Sequence, residues 1–375
     1  MSALRVGVFG LRRGLTLAAV LRGAGASVVA VADSVGARRE QAASVLHPVT
    51  AYEHFDDLLA HDLDAIVLAN HFDEHAHFAI AALAAGRHVL SETAACRTPA
   101  EAVALHRAVA GSSAQYMLGE NYPYLPNAQT LRRMYTSGVL GEVEYAESEY
   151  LHSLAPTETG HVWAGDAATH WRAQIACTAY CTHSVAPPLF ITGRRPVSVI
   201  ALPVPGATDD PAQRSARRAQ YPAALLTVTL DNGAVLRSLH GFLQGEQMSC
   251  LRVHGSRALA ESRHGDESGA IRLRLEAWAS PSGAIADSVI TEGSLPIGSD
   301  PFVAADVAMC HEFVDAVTAG RRPEIDVDLG VDATLVGIYG LRSLLAGSVP
   351  VAIPDLRDER ERHAVEADHT DGLRA

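Results

Sequence analysis

The chain is expected to be an α/β protein of two domains, the first a doubly wound Rossmann-type sheet. Three observations carry this expectation. A glycine-punctuated strand-to-helix junction lies at residues 4–14, strands alternate with helices as far as residue 92, and beyond residue 195 the pattern changes to successive antiparallel hairpins. At 375 residues with 48% apolar content, the chain is long enough to bury a core in each domain.

At the junction, Leu4, Val6, Val8 and Phe9 form a short apolar strand, Gly7, Gly10 and Gly14 punctuate a turn, and Leu15 to Leu21 reads as a helix. Glycines let the backbone approach a ligand closely, and free N–H groups at a helix start favour negative charge. The turn Gly10-Leu11-Arg12-Arg13 is therefore a place for a pyrophosphate. The usual G-x-G-x-x-G is broken, because Arg12 stands where its second glycine would be. Ser27 to Ala32 is a second strand, ended by Asp33, about 20 residues after the turn, where a carboxylate can accept from both hydroxyls of an adenosine ribose. The same residue also suits a helix cap for Ser34 onward. A carboxylate repels a 2′-phosphate, which favours NAD over NADP, and Arg38 and Arg39 soften that preference.

Phe55 to Leu59 reads as a short helix and Ala65 to Ala69 as a third buried strand. Asn70 and His71 follow it on the edge where ligands bind in open α/β sheets. His75 to Ala85 has helical periodicity and is closed by Gly86; His88 to Leu90 is a fourth strand ending at Ser91-Glu92. Gln115 to Asn121 is the last strand of the nucleotide domain, and Pro123 and Pro126 mark the crossover to the second. There, Ala128 to Ser137 is a helix. Glu142 to Leu151 alternates in strand fashion, with Val143, Tyr145, Ser148 and Tyr150 expected to reach into the cleft and an irregularity like that of a bulge. His152 to Trp171 is polar but holds two of the three tryptophans (Trp163, Trp171) and three histidines (His152, His161, His170). Long loops inside compact domains carry function or are disordered, and this composition suits a substrate-contacting lid. Trp163, His170 and Trp171, with Arg172 and Tyr180, are the candidate substrate contacts.

Arg195 to Ile200 opens a large sheet, and Gly206 to Tyr221 is a polar insertion. Ala223 to Leu230 and Ala234 to His240 form a hairpin through Asp231-Asn232-Gly233; Met248 to Val253 and Ala258 to Ser262 form another. Val303 to Ala319 is an amphipathic helix with Cys310, Phe313, Val314 and Val317 on one side. Val331 to Ala346 is a further helix, and Val349 to Pro354 ends the fold. Asp355 to Ala375 is charged and poor in apolar residues, so an exposed or disordered tail is expected. Domains of 1–121, 122–354 and a tail of 355–375 follow.

A net charge of -13 argues against nucleic acid or an anionic membrane as partner, and no apolar run reaches membrane-spanning length. Five cysteines without a framework spacing suit reduced thiols in the cytoplasm. Cys177-x3-Cys181 beside His183 fits no standard zinc spacing, so no metal is expected.

Gly7 and Gly10, Asp33, Asp62 to Asn70 followed by His75, Ala81 to Glu92, and Gly141 to Tyr145 together resemble the Gfo/Idh/MocA oxidoreductases, over the chain to about Pro354. The resemblance implies a Rossmann domain followed by an α/β domain on a large open, mostly antiparallel sheet, whose free face commonly pairs subunits, so a homo-oligomer is expected. It implies that Glu92 and Asn121 line the nicotinamide end, with His75 part of the same motif and Glu120 beside it. The family usually continues from glutamate through lysine and proline, whereas here Glu92-Thr93-Ala94 has no such cation. The ordinary family also has an aspartate four residues before its catalytic histidine, where this chain has Ala179 before His183. Tyr180-x-Thr182-His183-x-x-x-Pro187, with Glu120-Asn121 and Glu149 to His152, is similar to the branch that includes NAD-dependent glycoside hydrolases. In that branch the residues matching Tyr150 and His183 lie in the active site.

The resemblance thus implies an NAD-dependent oxidoreductase acting on a secondary hydroxyl of a sugar, cyclitol or glycoside, with His183, Tyr150 and Glu120 as catalytic candidates. The alternative is net glycoside hydrolysis at the same site, through oxidation, elimination, hydration and reduction. The departures at Arg12, Thr93 and Ala179 keep a non-catalytic dinucleotide sensor as a third reading.

Overall fold

A computed structural model describes residues 3–152, 175–205, 221–242 and 248–374, apart from 264, 267, 292 and 297. Beyond His152, the expected lid with Trp163, His170 and Trp171 lies outside the described residues, as do Arg172 after it and nearly all of the insertion from Gly206. The chain divides into two units. The first comprises Met1–Asn121 together with Phe302–Val331 and Leu356–His369; the second comprises Tyr122–Pro301, Asp332–Asp355 and Thr370–Ala375.

In the first unit, β1 (Arg5–Phe9), β2 (Ser27–Ala32), β3 (Thr50–Tyr52), β4 (Ala65–Leu68), β5 (His88–Ser91) and β6 (Tyr116–Leu118) form one sheet in the order β3-β2-β1-β4-β5-β6. Every pairing in it is parallel. The helices between them are α1 (Gly14–Gly23), α2 (Gly36–Val45), α3 (Phe55–Leu59), α4 (His75–Ala84) and α5 (Pro99–Ala110). The central strands are continuous apolar runs because both faces are covered: Val6, Val8, Val31, Ile66, Val67, Val89 and Leu90 are fully buried. Each such side chain contributes about 1.5–3 kcal/mol relative to exposure. β3 is short and exposed at its start, with no alternation to reveal it in sequence.

Two helices from late in the chain complete this unit: α8 (Pro301–Ala319) and the first turn of α9 (Val327–Leu345). They are tied in by backbone bonds, such as Leu118 N–H to Ile325 O at 2.9 Å. Residues 355–374 are folded rather than disordered, although their helix is largely exposed as expected and buries no residue. Their helix α10 (Glu359–Val365) is capped by Asp358, Ala100 N–H bonds Asp368 O, and Leu356 and Leu373 are buried. The charges that suggested a tail serve as partners, as Arg107 pairs with Glu366 at 2.7 Å and Arg362 bonds Leu356 O.

The second unit is built on a nine-stranded sheet. Its strands are β7 (Val143–Leu151), β8 (Pro196–Val204), β9 (Ala223–Leu230), β10 (Val235–Gly241), β11 (Met248–Gly255), β12 (Ala258–Ser262), β13 (Ile271–Leu275), β14 (Ala286–Ile290) and β15 (Val351–Ala352). Their order is β14-β13-β12-β11-β7-β10-β9-β8-β15, and all neighbours are antiparallel except β7 and β10. Helices α6 (Pro126–Thr136) and α7 (Thr182–Thr192) pack on one face. The bulge appears at the start of β7, where Tyr145 pairs with His254 but Val143 with Gly255. It moves Tyr145 out of the row expected to be inward-facing. Ala146, Ser148 and Tyr150 are buried, whereas the Tyr145 hydroxyl donates to Glu147 on the other face at 2.6 Å.

That other face carries an alternating ladder of charge across neighbouring strands. Arg237 meets Glu147 (3.1 Å), Glu147 meets Arg252 (2.9 Å), Arg252 meets Glu261 (2.7 Å), and Arg272 meets both Glu261 and Asp287 (2.8 Å each).

Candidate active site

At the C-terminal edge of the parallel sheet, β1 turns into α1 at Gly10, whose φ of +88° is the left-handed region that glycine adopts readily. A Cβ there would lie 2.4 Å from the Ala69 carbonyl carbon and oxygen, so only glycine allows this turn to pass the end of β4. Gly14 permits α1 to sit on the strand, since its Cβ would meet Val8 at 2.7 Å. Across the turn, buried Asp33 accepts from the Leu11 N–H (2.7 Å) with one carboxylate oxygen and from the Val35 N–H (2.8 Å) with the other. The Asp33 carboxylate thus ties the glycine turn to the Val35 amide that precedes α2, whose own N-cap is Val35 with no side-chain bond, so the helix-cap role read for Asp33 does not hold. A carboxylate offers about four acceptor positions, which leaves room for a ribose diol. Arg38 stands 3.4 Å from Asp33, and Arg39 bonds the Asp33 carbonyl at 2.7 Å. The glycine turn, the helix start and the acid past β2 fit a dinucleotide.

On the other side of β1, the ends of β5 and β6 meet α8. Arg13 Nε donates to Glu92 at 2.9 Å, while its two terminal nitrogens grip Asp306 at 2.7 and 2.6 Å. The Asn121 amide donates to the same Asp306 at 2.9 Å. Burial pushes the Glu92 carboxyl above the usual carboxylate range; Arg13 opposes this, and the charges of Glu120 and Asp306 add to it. Glu120 is fully buried and faces Glu92 within this unit. Four expected residues, Arg13, Glu92, Glu120 and Asn121, are therefore brought together. The sequence reading missed Asp306, whose signal was an acid on the otherwise apolar buried face of α8, among Ala305, Met309, Cys310 and Phe313.

The remaining first-unit candidates behave differently. Arg12 is exposed. Asn70 bonds Glu74 at 3.3 Å, and exposed His71 pairs with Asp73 at 3.3 Å. His75 is buried at the start of α4 against the backbone of Glu92 and Ala94, and burial pushes its imidazole down to about 4. It supports the β5 end from beneath. A cavity of about 480 Å³ opens at the other edge of the sheet, beside His106, Tyr116, Arg322 and Asp328. Its charges are paired among themselves, as in His106 with Asp328 at 3.0 Å.

In the second unit the candidate chemistry is a cluster of rings. His183 lies in the first turn of α7, half-buried, with its ring stacked on Tyr122 (centroids 4.6 Å apart, 28° between planes). Tyr150 lies 4.7 Å from it and Tyr180 4.6 Å, the latter edge-on. Ser184 anchors the helix, its hydroxyl 2.7 Å from that of Ser238 on β10, which sets the neighbouring His183 against β7. Pro187 and Pro188 lie within α7 and cannot donate back along it, so packing and this serine pair hold the turn. Phe242 and His152 extend the ring surface, Phe242 stacking on Tyr180 at 6.0 Å. Behind it, His240 is fully buried opposite Tyr150 on the adjacent strand, and burial pushes it down to about 4. His183, Tyr150 and Tyr180 thus lie together in one ring cluster. Tyr122, His240 and Phe242 were missed, although Tyr122 directly follows Glu120-Asn121 and His240 ends a readable strand.

Residues 4–120 match a family described as Gfo/Idh/MocA, oxidoreductase family, NAD-binding Rossmann fold. A glycosyl hydrolase family 109 protein 2 from Phocaeicola vulgatus is 31% identical over 130 residues, covering 34% of this chain and 32% of that protein. A glycosyl hydrolase family 109 protein from a Shewanella species is 26% identical over 136 residues, covering 36% of this chain and 29% of that protein. The chain therefore spans about a third of the length of the curated relatives it matches. Among solved structures, a levoglucosan dehydrogenase in complex with NADH and levoglucosan superposes with a TM-score of 0.80 at 16% identity, covering 94% of this chain and 100% of the other. A myo-inositol 2-dehydrogenase from Lactobacillus plantarum does so at 0.72 and 20% identity, covering 94% and 99%. At these identities the likeness is one of fold.

Proposed function

We propose that the chain is an NAD-dependent oxidoreductase acting on a secondary hydroxyl of a sugar, cyclitol or glycoside, a reading supported by the match of residues 4–120 to the Gfo/Idh/MocA oxidoreductase family. The observation that carries this reading is the ring cluster around His183, which offers a base amid aromatic faces on a chain that also holds a dinucleotide fold. When bound, NAD supplies the acceptor for the hydride from the carbinol carbon. Asp33 holds the adenosine ribose, the Gly10–Arg13 turn the pyrophosphate, and Glu92 and Asn121 the nicotinamide end, with Glu120 behind them. A His183 ring nitrogen takes the hydroxyl proton, an imidazole being the side chain that titrates nearest neutrality. Tyr150 orients that hydroxyl, and the faces of Tyr122 and Tyr180 suit the C–H faces of a sugar.

A second reading is net hydrolysis of a glycoside by the same residues. It is favoured by relatives named as glycosyl hydrolases and by Thr93 in place of a lysine. The chain's five cysteines are all free and buried, which supports a cytoplasmic setting. The family resemblance supports a homo-oligomer through the sheet of the second unit, to be read as solution mass.

A panel of glycosides with a chromogenic leaving group, followed at two wavelengths, tests the function. NADH accumulating with substrate and without aglycone release establishes the dehydrogenase. Aglycone release without NADH establishes the hydrolase. Silence on both, with NAD bound, supports the sensor.

A further inference from the structure

The first unit orders a dinucleotide by topology alone. Asp33 past β2 fixes the adenosine side and the β1–α1 turn the pyrophosphate, so the second nucleotide half lies over the ends of β4, β5 and β6. At those ends stand Glu92 and Glu120-Asn121, joined by Asp306 from α8. One guanidinium, Arg13, serves two carboxylates directly, Glu92 at 2.9 Å and Asp306 at 2.7 and 2.6 Å. Two carboxylates share this one guanidinium in a part-buried place, where like charges crowd each other more than in water. An arriving cation relieves that crowding and a neutral group does not. The oxidised nicotinamide ring carries a positive charge and the reduced ring carries none.

We propose that Asp306 and Glu92 hold an acidic surplus around Arg13 that makes the first unit retain NAD⁺ in preference to NADH. Asp306 acts as a positioning residue, through Arg13 and Asn121. This inference rests on the dinucleotide role given to the unit above. Its consequence for the chemistry is that the reduced cofactor is the poorly accommodated form, which favours return or release of the hydride it carries.

The test is titration of the full chain with NAD⁺ and with NADH, read as two dissociation constants. Wild type is expected to bind NAD⁺ more tightly. Asp306→Asn keeps the shape and removes a charge, and should move the affinity ratio about tenfold toward NADH. Glu92→Gln, a second variant should the first fold poorly, should move it the same way. Arg13→Met removes the cation that Glu92 and Asp306 share and should move the ratio in the opposite direction, while Asp306→Glu restores the wild-type ratio. A merely structural clamp predicts instead that all variants weaken both forms in parallel, and that result overturns the inference while leaving the proposed function standing. Wild type binding neither form overturns both.

Discussion

In the first unit, charged side chains converge on the edge of the sheet where ligands bind: Asp33 with Leu11 and Arg38, and Arg13 with Glu92 and Asp306. In the second unit the charges lie on the outer face, strung from Arg237 to Asp287, and the candidate chemical cluster consists of rings. The contrast follows the expected ligands. A dinucleotide carries phosphates and, when oxidised, a cationic ring, so it is held by fixed charge and N–H groups. A sugar or cyclitol is neutral, so it is held by aromatic faces and a few hydroxyl partners.

If that division of labour is correct, His183→Ala should lower turnover by about 10²–10⁴-fold while NAD⁺ affinity stays unchanged. Tyr150→Phe should have a smaller effect on the same measurement. A parallel loss of NAD⁺ affinity in either variant would break the comparison.

Acid stability compares the two units more evenly, because among the described residues each fully buries one imidazole, His75 in the first and His240 in the second, both pushed down to about 4. The unfolded chain takes up these protons near pH 6.5 and the folded chain only near 4. Their contribution is therefore fully present above about 6.5 and is lost as pH falls toward 4, by about 3 kcal/mol each. Urea unfolding across this range should show the loss, and His75→Leu or His240→Leu should each flatten the acid slope in part and by similar amounts, the rest belonging to groups such as His88 and Glu147 whose pKa is also lowered. Flattening by only one of them would assign the sensitivity to a single unit.

Asp33→Asn is expected to be the mildest of these changes, weakening NAD⁺ by about ten- to a hundredfold, in keeping with loss of charged hydrogen bonds. Turnover at saturating cofactor should be nearly unchanged. If turnover falls instead, Asp33 acts beyond the ribose.

The first 121 residues were legible because their signals are local. An apolar run, a glycine turn and an acid at the next strand end can be read from Val6 to Asp33 without knowing where any other segment lies. The ring cluster was half legible: His183 and Tyr150 stand in recognisable motifs, but Tyr122, His240 and Phe242 join them only through pairing between distant strands. Tyr145 was misassigned because one extra residue in β7 reverses the faces, which no alternation pattern reports. The folded C-terminus was illegible for a related reason. Its charges looked solvated until their partners on α5, far away in sequence, were in view.

The clamp between Arg13, Asn121 and Asp306 also carries a timetable. Asn121 and Asp306 are separated by 185 residues. At about 5–20 residues per second, a growing chain exposes the nucleotide fold roughly 10–40 s before its own α8 has been made. During that interval Arg13 has Glu92 but not Asp306, and Asn121 lacks its acceptor, so the nascent domain is assembled around an edge that carries one acid fewer than the finished one. Completion of translation, rather than folding of the first 121 residues, is the event that sets the final electrostatic character of the cofactor site.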